Sequence, residues 1–126
     1  MPEDRDDRSI LDADPLWRRV IQLWVVADGS GGSRVSSAAF DNSSDGSGTS
    51  VTLGREAQEA GVTPRKALER YPDCRLASVS AGHCRRSGQA IVRDPTEEDR
   101  HHALVEGPKT KSVRRELARA AVWIDT

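Results

Sequence analysis

The architecture is decided near the carboxyl end of the chain, in residues 101–117, which read HHALVEGPKTKSVRREL. Residues 103–106 are predicted to form a strand, which the following Gly-Pro pair ends. A helix is predicted over residues 111–123, with Thr110 or Ser112 as its N-cap. We therefore expect a strand that runs through a basic loop into a C-terminal helix.

The predicted helix is amphipathic. Apolar residues recur at the spacing of one helical face. They are Val113, Leu117, Ala120 and Ile124. Arg114, Arg115 and Arg119 fall elsewhere on the helix. We expect the apolar stripe to pack against a sheet and the arginines to remain in solvent.

Short strand and helix patterns alternate upstream of this segment. Strands are predicted at residues 20–27, 51–53, 76–79 and 89–93, and helices at 54–60, 64–71 and 81–87. A single helical turn is predicted at residues 16–19, and residues 34–40 read as a short strand or an irregular segment. The fold class predicted is α+β, with a small mixed or antiparallel sheet, short helices and a C-terminal amphipathic helix.

The length of 126 residues is that of one domain. Residues 1–14 hold six carboxylates and two arginines. Residues 1–13 are therefore interpreted as a flexible acidic leader, and residues 14–126 as a single α+β domain. The opposite charge of the two chain ends indicates association of the ends with each other, or a polar docking surface.

The composition argues against several classes of protein. The net charge of −1 argues against a general nucleic-acid coat. Unbroken apolar runs, such as residues 23–27, do not exceed five residues, which is far shorter than the roughly 18 residues of a membrane span. The chain has two cysteines and no recognisable export signal, so we expect reduced thiols and a cytoplasmic protein. The oligomeric state stays open.

The loop that leads into the C-terminal helix is the first candidate site. A helix N-terminus presents unpaired N–H groups and a partial positive charge, and Lys109 and Lys111 add two cations there. The loop lacks the first glycine of a P-loop, since His102 stands in its place. The pattern fits an anion-binding site or an ordinary connection with solvated lysines.

The basic segment continues along the helix. Residues 109–119 hold five cations (Lys109, Lys111, Arg114, Arg115 and Arg119) against Glu116. Arg34 lies between two Gly/Ser-rich loops and is followed by the hydroxyls of Ser36 and Ser37, and a guanidinium with two hydroxyls can bind a phosphate or a ribose edge. Arg34 and Ser36 are the predicted site residues of this segment. We expect a non-enzymatic interaction module that docks a protein or anionic partner through this basic surface.

Two other functions remain as alternatives. The first is a small enzyme that acts on a phosphorylated or nucleotide substrate and uses Arg34, Ser36, His102 and Lys109. The second is a nucleic-acid-binding protein. The sequence contains no recognisable set of catalytic residues, so it leaves open whether the protein catalyses any reaction. No cofactor is predicted.

No metal site is predicted. Residues 41–47 match the opening of a calcium loop, but Thr52 occupies the position of the closing glutamate, so calcium binding by this loop stays open. The soft and imidazole ligands lack the short paired spacing of zinc sites. They are Cys74, His83, Cys84, His101 and His102.

Six segments of the chain are informative when they are taken together: RVSSAAF (34–40), SV (50–51), AG (81–82), GQAIVRDP (88–95), HALVEG (102–107) and KTKSVRR (109–115). Together they resemble a family of small cytosolic bacterial proteins, chiefly actinobacterial, with no established activity. The resemblance spans about residues 16–123 and implies a compact bacterial cytosolic domain without assigning a catalytic residue. The chain departs from the family at Ala27, where proline is usual.

The Arg-x-Ser-Ser segment at residues 34–37 is also loosely similar to the first strands of small ADP-ribosyltransferase-like domains. The tyrosine clamp and late catalytic glutamate of those domains have no counterpart here.

Overall fold

The structure is a computed structural model that describes residues 5–126. The strands are β1 (Pro15–Val20), β2 (Val25–Ala27), β3 (Ser33–Val35), β4 (Thr49–Leu53), β5 (Arg75–Ser80), β6 (Ala90–Arg93), β7 (His102–Glu106) and β8 (Val122–Ile124). The α-helices are α1 (Gly54–Glu59), α2 (Pro64–Ala67), α3 (Ala81–Arg86) and α4 (Lys111–Ala120). Two 3₁₀ turns, Gln22–Trp24 and Ser37–Phe40, complete the elements.

Six of the strands form one sheet in the order β6-β7-β4-β1-β5-β8, and every neighbouring pair is antiparallel. The strands β2 and β3 form a separate hairpin. The predicted α+β class is confirmed, with an antiparallel sheet and a helix near the carboxyl end.

The sheet buries side chains on both faces. Alternation along β1 sends Leu16 and Val20 into the main core and Trp17 into a smaller one. The main core includes Leu117 of α4, while the smaller core includes Ala57 of α1. Helix α4 therefore covers one face of the sheet, and α1 covers part of the other.

The predicted helix over residues 111–123 is correct at its start and wrong at its end. Thr110 caps α4 by accepting a hydrogen bond from the Val113 N–H at 3.2 Å. The helix ends at Ala120, and β8 follows as an edge strand with Trp123 opposite Ala77 of β5. The β-branched and aromatic residues of β8 fit a sheet edge better than another helical turn.

The helical turn predicted at residues 16–19 is also wrong, because the segment is strand β1. The adjacent residues Leu16 and Trp17 lie on opposite faces of the sheet, as expected of a strand that is buried on both sides. The predicted strand over residues 20–27 is interrupted by the 3₁₀ turn Gln22–Trp24, so only β2 is extended after β1.

The acidic segment before β1 packs on the body of the protein. Ile10 is 1% exposed within the main core. The Asp7 N–H donates to the Ile91 carbonyl at 2.8 Å, and Arg85 forms ion pairs with Asp6 and Asp12. Residues 5–13, which we interpreted as part of a flexible leader, are thus tied to β6 and α3. Residues 1–4 of that interpretation lie outside the described residues.

In the part of the chain that the structure describes, no helix is long and apolar enough to span a membrane.

Candidate functional site

A groove of about 610 Å³ lies between the β2–β3 hairpin and α4. The hairpin and the 3₁₀ turn after it contribute Arg34, Ser36 and Ser37, while α4 contributes Arg115 and Arg119. The remaining lining residues are aliphatic. They are Val26, Val35, Ala118 and Ala121. We call this cavity the basic groove.

Local structure places both walls of the basic groove. Arg34 pairs in register with Val26, and the Ser36 N–H donates to the Trp24 carbonyl at 2.8 Å, which fixes the end of the hairpin. On the other side, Arg115 and Arg119 are four residues apart and therefore share one face of α4. Leu117 anchors α4 in the main core.

The arginines of the basic groove are weakly compensated. Within residues 5–126, no carboxylate oxygen lies within 4.0 Å of a nitrogen of Arg34 or Arg115. In the described part of the chain, the carboxylate contact of Arg119 is an exposed one, 3.8 Å from Glu116 Oε2, and such exposed pairs contribute little stability. The groove therefore keeps a local positive charge although the chain is nearly neutral.

The acidic segment near the amino end does not neutralise these arginines within the described residues. Its carboxylates pair with arginines of α1, α3 and β6, on other parts of the surface. The ion pairs are Asp6–Arg85, Asp7–Arg93, Asp12–Arg85 and Asp14–Arg55.

Lys109 lies away from the basic groove. Its Nζ donates to Asn42 Oδ1 at 2.9 Å, to the Val105 carbonyl at 2.8 Å and to the Gly107 carbonyl at 3.4 Å. Burial lowers the pKa of Lys109 to about 8, because desolvation disfavours the charged form. Its three donors hold the loop together, which leaves the ammonium few directions in which to contact a ligand.

Lys111 and Arg114 also lie outside the groove lining. Lys111 is exposed at the first residue of α4. Arg114 is partly buried, with Nη1 3.7 Å from Asp41 Oδ2, and its buried Nε has no hydrogen-bond partner among residues 5–126. Unlike Arg115, these two predicted site residues therefore do not line the basic groove.

His102 lies on the sheet, opposite Thr52 of β4, and borders a different cleft of about 550 Å³. Its Nδ1 is 2.9 Å from the Asp94 carbonyl oxygen and 3.1 Å from Asp94 Oδ2. Both oxygens are acceptors, so Nδ1 meets them as a donor. The structure thus brings Arg34, Ser36 and Arg115 together, and it places His102 and Lys109 elsewhere.

Two polar residues of the basic groove, Ser37 and Arg119, are not among the predicted site residues. Arg119 belongs to the predicted basic segment, and its spacing of four from Arg115 is the signal that could have identified it. Ser37 belongs to the predicted Arg-x-Ser-Ser segment, but the sequence does not distinguish its hydroxyl from that of Ser36.

The calcium-like loop has hydrogen bonds of its own. Asp45 Oδ1 accepts from the Ser47 N–H at 2.9 Å and from the Ser47 hydroxyl at 2.6 Å. These bonds lower the pKa of Asp45 and form a turn of the Asx type. Among residues 5–126, no three His, Cys, Asp or Glu side chains are arranged to hold a metal ion.

Comparisons with protein-family models, with curated proteins and with solved structures found no match to this chain.

Proposed function

We propose that the protein is a binding module that docks an acidic segment of a partner protein in the basic groove. One observation carries this proposal: Arg34 on one wall and Arg115 on the other lack a carboxylate partner within residues 5–126. Uncompensated arginines on facing walls attract an anionic group and can hold it through charge-assisted hydrogen bonds.

The aliphatic lining favours a protein segment over a nucleic acid. Val35 and Ala118 are buried at the groove, and Val26 and Ala121 are half-buried beside them. Such a surface accommodates an aliphatic side chain next to the acidic group. Single-stranded nucleic acids are held largely by stacking on aromatic rings, and the lining residues include none.

The bacterial cytoplasm is the proposed site of action. Cys74 and Cys84 are both free thiols, and burial raises the pKa of Cys84 to about 12, which keeps that thiol protonated and unreactive. Free thiols suit a reducing compartment. The resemblance to small bacterial cytosolic proteins supports the same assignment.

The test is fluorescence anisotropy with a labelled peptide of alternating glutamate and valine. Wild type should bind with an affinity that falls as sodium chloride rises, since salt screens the arginines. The double variant Arg115→Glu/Arg119→Glu should lose binding by at least about tenfold, because removal of charged contacts costs more than about 1.4 kcal/mol.

A matched control makes the same change in charge elsewhere. Lys66 and Arg70 are exposed residues at the other cleft. The variant Lys66→Glu/Arg70→Glu should bind as wild type does. Equal losses in the two double variants would mean that only net charge matters, and the groove would then have no docking role.

A further inference from the structure

We propose that the group recognised in the basic groove is a phosphate monoester carried by a peptide, that is, a phosphoserine or phosphothreonine of the partner. This inference rests on the proposed docking function and specifies its ligand. It follows from the placement of the donors on both walls of the groove and from the nature of the lining between them.

The first argument is geometric. The groove is lined by Arg34 from the hairpin and by Arg115 and Arg119 from α4. A carboxylate offers two oxygens in one plane, so one arginine fork satisfies it from one side. A phosphate monoester offers three oxygens in tetrahedral directions and a charge near −2. It can therefore accept hydrogen bonds from both walls together.

The second argument concerns a hydroxyl beside Arg34. Ser36 Oγ accepts a hydrogen bond from the Ala38 N–H at 3.3 Å. A serine oxygen that accepts from the backbone still has its own proton to donate. Ser36 thus adds a neutral donor to the arginines, and a ligand with three acceptor oxygens can use it without losing an arginine contact.

The third argument separates a phosphopeptide from a nucleotide. The indole of Trp24, close to the hairpin, is covered by the Arg18 guanidinium at 5.2 Å from the ring centre. The indole of Trp123 is covered by Arg75 at 3.8 Å. One face of each indole is thus covered, and neither indole is among the lining residues of the groove. A base in the groove would therefore meet aliphatic side chains and no aromatic ring. Aliphatic side chains that flank a phosphoserine do have a matching surface.

The experiment compares the binding of three probes by isothermal titration calorimetry at pH 7.5. The first probe is a peptide of about nine residues with a central phosphoserine flanked by valines. The second is the same peptide with glutamate in place of phosphoserine, and the third is AMP. The phosphopeptide should bind at least about tenfold more tightly than the glutamate peptide, since phosphate can engage both walls. It should also bind more tightly than AMP. Its affinity should fall between pH 7 and pH 5, because the phosphate gains a proton near pH 6.

The variant Arg34→Lys keeps the charge and loses the planar fork. It should weaken binding of both peptides, and it should weaken binding of the phosphoserine peptide more, so that most of the preference for phosphoserine is lost. Circular dichroism should show an unchanged fold, since Arg34 is exposed.

The outcomes separate this inference from the proposed function. Equal affinity for the phosphoserine and glutamate peptides would overturn the phosphate assignment and leave docking of an acidic segment intact. AMP binding as tightly as the phosphopeptide would overturn the assignment to a peptide. Failure of both peptides to bind would overturn the inference and the proposed function together.

Discussion

Replacement of Ile10 by alanine tests whether the segment before β1 belongs to the folded body. Ile10 is 1% exposed and packs in the main core, whereas its neighbour Leu11 is 56% exposed. The two residues are adjacent and of equal size, so they form a matched pair. The structure predicts a large effect at one position and a small effect at the other.

The magnitude follows from burial. Ile10→Ala removes three buried carbons, at about 0.8 kcal/mol each, and leaves a cavity, so the loss of unfolding free energy should be about 3 kcal/mol. A chain of 126 residues loses about 0.26 kcal/mol of stability per degree near its midpoint. The melting temperature should therefore fall by about 11 °C. Leu11→Ala should change the unfolding free energy by about 0.5 kcal/mol or less, which is about 2 °C.

The assay is thermal unfolding followed by circular dichroism, with urea unfolding as a second measure of the free energy. A small and equal effect of the two substitutions would refute the packing of residues 5–13 on the core. It would restore the interpretation of this segment as a flexible leader.

Three further predictions concern other contacts. Arg55 donates to both carboxylate oxygens of Asp14, and these bonds lower the pKa of Asp14. The ion pair therefore stabilises the fold above about pH 4, and this stabilisation is lost as the pH falls through the lowered pKa. Between pH 5 and pH 3, the melting temperature of the Asp14→Asn variant should fall less than that of wild type. Lys109→Ala removes hydrogen bonds to the partly buried carbonyls of Val105 and Gly107 and should cost about 1–3 kcal/mol in urea unfolding, while binding of the acidic peptide stays unchanged because Lys109 lies outside the basic groove. Gly54→Ala would place a methyl group against the buried indole of Trp17 and should cost about 1–3 kcal/mol, whereas an undiminished midpoint would show that the indole can move aside.

The start of the C-terminal helix could be predicted from sequence, and its end could not. The cap at Thr110 and the apolar positions Val113 and Leu117 have local signals that the structure confirms. Ile124 also fits the helical spacing, yet it lies on β8 and packs in the smaller core. This segment pairs with the free edge of β5 instead of continuing the helix, and that edge exists only in the assembled sheet.

Strand β1 shows the same limitation. Its sequence PLWRRV buries Leu16 and Trp17 on opposite faces, and the alternation of the strand places the half-buried Arg18 on the same side as Leu16. The Arg18 side chain donates to the Ala39 and Ser50 carbonyls at 2.8 Å and 3.0 Å. From the sequence alone, Arg18 is expected to be a polar surface residue. Its role as a hydrogen-bond donor to backbone carbonyls becomes evident only in the folded structure.

The candidate site was accessible to sequence reasoning only in part. The chemistry of Arg34, Ser36 and Arg115 is evident from residue type, but their proximity depends on how the β2–β3 hairpin lies against α4. Lysine is also a residue type that binds anions, but the Lys109 ammonium donates to Asn42 and to the Val105 carbonyl instead. The contact with Asn42 cannot be predicted from sequence, because Asn42 is distant along the chain. Residue type therefore indicates what a side chain can do, and tertiary contacts determine whether it is available.

The docking account is tested most directly by an amide-resolved NMR titration of the isotopically labelled protein with the acidic glutamate–valine peptide. The account predicts saturable shifts confined to residues 34–37 and 115–121, on the two walls of the basic groove. Shifts centred on His102 and the cleft beside it, or the absence of saturable shifts in the groove, would contradict it.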